Sequence, residues 1–141
     1  MVVCKVYHMN VETTELDGLL IFSPQVFHDD RGFFIETYNK EAYKAFGVTE
    51  DFVQDNLSYS KKGVVRGLHF QKDPHGQGKL VFVVRGSVLD ITVDIRPNSP
   101  TFGKHFALEI SEENKKQLYV PTGFAHGFIA LTDDVIFQYK C

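Results

Sequence analysis

At 141 residues, 43% apolar and 23% charged, the chain is long enough to bury one core and too short to divide into several, so residues 1–141 read as a single domain. A net charge of −3 excludes an overall basic footprint for nucleic acid, and any anion recognition must come from a local cluster. Cys4 and Cys141 offer neither metal spacing nor a disulfide framework, and Lys5 and His8 interrupt the apolar start, so the sequence reads as cytoplasmic, without a leader or membrane span.

Thirteen Phe, six Tyr and no Trp favour half-buried pleated surfaces. Residues 19–22 read as a strand running up to Ser23-Pro24, and Val26-Phe27 leads to a turn over residues 28–32. Residues 33–38 form the next predicted strand. Asn39 is placed to cap a short helix over residues 40–46, which Gly47 would end. Phe52-Val53-Gln54 is followed by a polar stretch over residues 55–62. Strands are predicted over 64–71, 80–84, 88–95, 106–110, 118–120, 127–131 and 135–139, with a capped single turn over 111–114. In the segment 88–95, Leu89, Ile91, Val93 and Ile95 alternate with Asp90, Thr92 and Asp94. Many short strands between turn signals predict an all-β sandwich or barrel with one or two short helices. The chain ends at Cys141 directly after an apolar strand, a pattern that predicts continuation or an edge exchanged with a partner.

One stretch departs from this apolar pattern. Arg66-Gly67-Leu68-His69-Phe70-Gln71, with Gly78-Lys79 shortly after, puts two permanent cations and an imidazole on or near inward-facing strand positions. Buried charge without a partner is costly, so the expected partner is an anionic or acid-labile ligand.

The spacing of these residues resembles the cupin pattern, G-x5-H-x-H, a Glu with six residues between it and a Gly, then P-x-G-x-x-H. Here Gly63 precedes His69 by that spacing, and Pro121-Thr122-Gly123-Phe124-Ala125-His126 supplies the second motif. Gln71 stands where the second His would be, and Lys79 where the Glu would be, with six residues between it and Gly86. Two neutral imidazoles seldom hold a divalent ion alone, so no metal is expected. Lys79 would then supply covalently the positive charge that other cupins borrow from a metal.

More closely, the chain resembles the dTDP-4-dehydrorhamnose 3,5-epimerase family of cupins. The likeness rests on Asp30-Arg31-Gly32-Phe33-Phe34-Ile35-Glu36, Phe52-Val53-Gln54-Asp55-Asn56, Gln77-Gly78-Lys79-Leu80-Val81 and Ser99-Pro100-Thr101-Phe102-Gly103, besides the two histidine motifs. It implies a cupin-type jelly roll, a dTDP-sugar substrate and cofactor-free inversion at C3 and C5 through an enolate, in dTDP-L-rhamnose biosynthesis. It implies His69 as general base, Tyr139 as general acid and Lys79 as enolate stabiliser. Arg31, Glu36, Gln54, Asn56, Arg66 and His126 would bind the sugar nucleotide. Read from the residues themselves, Asp55 binds substrate or braces the loop, and Asp94 with Arg96 forms a structural pair. The resemblance further implies a homodimer that exchanges an N-terminal strand. In the family an aspartate beyond the position of Cys141 orients the base histidine; within this chain Asp90 is the expected substitute.

The chemistry suits these residue types. A base titrating near neutrality, a fixed cation where charge develops on O4 and an acid across the ring are the requirements. Arginines fit a diphosphate through planar, multi-donor contact. The alternatives are a single-site epimerase, a sugar 3,4-ketoisomerase (which carries R-G-x-H-A-H, against Gln71 here) and a non-catalytic sugar-nucleotide binder.

Overall fold

A computed structural model describes residues 7–141; Cys4 and Lys5, which bear on the thiol and leader readings above, lie outside the described residues. The larger sheet runs, in spatial order, through β1 (Met9–Thr13), β2 (Leu20–Pro24), β10 (Gln117–Val120), β7 (Lys79–Arg85), β12 (Val135–Lys140) and β5 (Asp55–Ser60). The smaller runs through β6 (Val65–His69), β11 (Phe124–Ala130), β8 (Ser87–Asp94) and β9 (His105–Ser111). Pairing is antiparallel throughout both. Successive strands shuttle between the sheets, which is the jelly roll expected from the cupin spacing. A separate hairpin, β3 (Val26–Asp29) and β4 (Gly32–Ile35), stands apart from both sheets.

The core lies between the sheets. Val81, Val83, Leu118, Val120 and Phe137 from the larger sheet meet Val88, Ile110, Phe124, Phe128 and Ala130 from the smaller. Alternation along each strand sends the next residue outward, and the larger sheet's outer face needs its own cover. Helix α1 (Lys40–Ala45) supplies it, packing Ala42 and Tyr43 over Phe22, Leu80 and Tyr119. Asn39 caps α1 as expected, its side-chain oxygen accepting from the Ala42 N–H at 3.2 Å. The described residues contain this one helix, and residues 112–114 form a turn directly after β9.

Several segments differ from their sequence reading. Strand β1 lies outside every element predicted from the sequence, and the strand expected over 33–38 ends at Ile35. The polar stretch after Gln54 contains β5, an edge strand pairing only with β12. Its inward residues Asn56, Ser58 and Ser60 are polar and only Leu57 and Tyr59 on the exposed face are apolar, which is why the segment reads as a polar stretch. In β8 the polar face is the buried one: Asp90, Thr92 and Asp94 are fully enclosed, whereas Leu89, Ile91 and Val93 are half-exposed.

Asp94 shows what the inward polar face does. Its carboxylate accepts from Arg96 Nε and Nη2 at 3.0 and 2.8 Å, and from the Ser99 and Thr101 hydroxyls at 2.5 and 2.6 Å. The Arg96 guanidinium, also 4.5 Å from the Phe124 ring centroid, thereby anchors the start of β11. The Arg96 bonds hold the Asp94 carboxyl well below the usual carboxylate range. A depressed folded-state value means stability that is fully present above the unfolded value of about 3.9 and is lost as pH falls below it. Asp94→Asn should therefore cost about 3 kcal/mol at pH 7. In urea unfolding that gap should narrow below about pH 4, where wild type alone loses this contribution.

Candidate active site

Residues of both sheets line two adjoining cavities of about 470 and 510 Å³, which share His69, Lys79, His126 and Tyr139. His69 ends β6 and His126 lies on β11 directly opposite it. Lys79 opens β7, and Tyr139 on β12 lies between Val81 of β7 and Asn56 of β5. The imidazoles thus come from the smaller sheet, and the ammonium and phenol from the larger.

Close backbone approach sets the histidine side. A Cβ on Gly67 would stand 2.6 Å from Gly127 Cα, and one on Gly127 would stand 2.6 Å from the Arg66 carbonyl oxygen. Gly67 also has φ +116°, in the region that favours glycine. The pairing of β6 and β11 shifts register between His126 and Phe128, and the irregularity re-aims neighbouring side chains into the cavity.

Arg66 lines the first cavity, with Nε donating to Ser60 Oγ and Nη2 to the Tyr59 carbonyl, both at 3.0 Å. Two of its five N–H donors are so used, which orients the guanidinium and leaves donors for an anion. Ser58, which sequence reading did not single out, lines the same cavity, and its buried hydroxyl has no partner. Gln54 and Asn56 line the second cavity, joined by a 2.8 Å bond from Gln54 Nε2 to Asn56 Oδ1. The stacked rings of Phe128 and Phe137, 4.3 Å apart, give the first cavity an apolar floor.

Asp90 does not orient His69. Its Oδ2 shares a 2.7 Å hydrogen bond with His126 Nε2. The strand order β6-β11-β8 explains this, because β6 lies two strand spacings, about 10 Å, from β8, with β11 between. Among the described residues no hydrogen bond holds the His69 ring, and no three His, Cys, Asp or Glu side chains converge in metal-binding geometry. The signal for the His126–Asp90 pair was present in the alternation of β8, but only its burial shows that the polar face points inward.

Three residues expected at the site lie elsewhere. Arg31, at the hairpin tip, is 91% exposed and pairs with Asp29 at 2.5 Å. Glu36 follows β4 and lines a different cavity with Tyr7, Phe27 and Phe34. Asp55 lines neither site cavity and pairs with Lys140 at 2.7 Å, bracing β5 against β12 beside Tyr139.

The family model described as dTDP-4-dehydrorhamnose 3,5-epimerase matches residues 13–141. The chain belongs to the dTDP-4-dehydrorhamnose 3,5-epimerase family. The epimerase of Shigella flexneri is 55% identical over 94% of this chain and 74% of its own length. That of Escherichia coli strain K12 is 53% identical over 94% of this chain and 72% of its own. The crystal structure of the Legionella pneumophila epimerase, in complex with dTDP-4-keto-L-rhamnose, superposes with a TM-score of 0.92. It is 50% identical and covers 95% of this chain and 71% of that one. As in other members of the family, the epimerase fold here is a cupin-type jelly roll.

Proposed function

We propose that the protein inverts C3 and C5 of dTDP-4-dehydro-6-deoxy-D-glucose to give dTDP-4-dehydro-L-rhamnose, in dTDP-L-rhamnose biosynthesis. The observation that carries this reading is the placement of an imidazole and a phenol on facing sheets of one cleft, with an ammonium beside them. His69 takes the proton from the carbon next to the ketone. The C–H electron pair moves into the ring and the negative charge settles on O4, where Lys79 stabilises it. Tyr139 then delivers a proton to the opposite face, and the configuration inverts. A proton returns from the imidazolium to the phenolate, closing the cycle without net change in the enzyme.

Arg66 meets the diphosphate, Gln54 and Asn56 the sugar nucleotide, and His126, held by Asp90, the sugar. Asp55 acts here as a brace. Residues 1–141 form one domain in this reading. The test is incubation with the 4-keto sugar and NMR of the product; an unchanged sugar that nonetheless binds would leave a sugar-nucleotide binder instead, and inversion at one carbon a single-site epimerase.

Arg31 and Glu36 join the site through a second copy, so the working unit is a homodimer. Two features support this. The hairpin exposes Phe27, Phe33 and Phe34 at 43, 55 and 69%. The outer face of the smaller sheet is an apolar strip through Leu89, Ile129 and Val65, neighbours by register, with Val65 66% exposed. Sedimentation at micromolar concentration should give a dimer, and Arg31→Ala should then raise KM about tenfold; a monomer that turns over normally would remove both residues from the site. We place the protein in the cytoplasm, where a free thiol such as Cys141 stays reduced.

A further inference from the structure

We propose that Glu50 is a positioning residue for Lys79, acting from behind the sheet through Tyr119 and Gly78. The inference rests on the reading of Lys79 as the enolate stabiliser. Glu50 lies in the connection between α1 and β5, outside the cavities that hold the reacting groups.

Residues 119 and 120 of β10 pair with residues 80 and 79 of β7. Alternation sends Lys79 and Val120 towards the cleft and Leu80 and Tyr119 to the helix side, where Tyr119 is only 2% exposed. The Tyr119 hydroxyl donates to Glu50 Oε2, and Thr49 Oγ1 lies 3.3 Å from the same hydroxyl. The other carboxylate oxygen accepts from the Thr122 N–H at 3.4 Å. The carboxylate also fills the space beside Gly78: a Cβ there would stand 2.4 Å from both Glu50 Cδ and Oε1.

One carboxylate therefore touches two chain segments that deliver site residues. Gly78 immediately precedes Lys79, and Thr122 belongs to the turn that leads into His126. Lys79 carries its charge on a flexible four-carbon stem, so the place of its ammonium depends on a fixed backbone at the strand start. A half-buried carboxylate is costly to keep without bonds, and here both oxygens are bonded, Oε2 by the Thr49 hydroxyl at 3.2 Å as well as by Tyr119. Gly78 has no left-handed φ, so its backbone would accept alanine. What alanine would disturb is the carboxylate, which it would push off Tyr119.

The test is a double-mutant cycle with full kinetics. Because Lys79 acts on charge present in the transition state, the loss should fall on kcat. Glu50→Ala and Gly78→Ala should each lower kcat about tenfold with KM within about twofold of wild type. If both act by releasing the same clamp, the double variant should be no slower than the slower single variant. Glu50→Gln keeps a carbonyl acceptor for Tyr119 and should recover kcat to within about threefold of wild type. Wild-type kcat in Glu50→Ala, or losses that multiply in the double variant, would overturn the proposal. Lys79→Met run alongside separates the two levels: if it keeps wild-type kcat, the reading of Lys79 fails and this inference with it, whereas if it is slow and Glu50→Ala is not, only the inference fails.

Discussion

Replacing His69 with alanine should lower kcat by about 10²–10⁴-fold and stop solvent-deuterium uptake at both C3 and C5, with little change in KM. The size follows from losing the imidazole placed at the end of β6, where the cleft opens. His126 does not replace it, because its Nε2 is already committed to Asp90 and its ring is buried on β11. Gly67 and Gly127 hold β6 against β11 independently of the imidazole, so the variant should fold as wild type does and bind dTDP normally. Retained exchange at either carbon would transfer the base role to another group.

Replacing Lys79 with methionine should lower kcat by about 10²–10³-fold, the usual cost of removing a preorganised donor from a developing oxyanion. Methionine keeps most of the stem and its packing, so the loss isolates the charge. The effect should be seen for both inversions, since the same O4 receives the electron pair from C3 and from C5. Arginine should not restore full activity: its wide, planar fork cannot occupy the place of a compact ammonium at the start of β7. A Lys79→Met variant with unchanged kcat and raised KM would make Lys79 a ground-state binder, not an enolate stabiliser.

The chain made part of this site legible and hid part of it for physical reasons. His69, Lys79 and His126 announce themselves by spacing and by being polar groups amid apolar strand, and all line the cleft. Strands with a buried apolar face, such as β7 and β12, are read within a residue or two of their ends. Strand β5 escapes because only Leu57 and Tyr59 are apolar and both lie on its exposed face, while Asn56, Ser58 and Ser60 turn inward, so the segment reads as polar. Asp90 shows a subtler limit. Alternation reveals that a strand has two faces, but not which is inside, and in β8 the inside holds the carboxylates. The partner of Asp90 was then decided by strand order, a long-range property: β11 stands between β8 and β6, so His126 takes the carboxylate. Arg31 and Glu36 fail to reach their own cleft because the hairpin that carries them belongs to neither sheet.

The division of labour between facing sheets is the central claim, and Tyr139→Phe in heavy water tests it most directly. With His69 intact, the variant should still wash deuterium into C3 and C5 with the original configuration, while inverted product falls about 100-fold or more. Inversion at the wild-type rate would contradict the account, as would loss of exchange and inversion by the same factor.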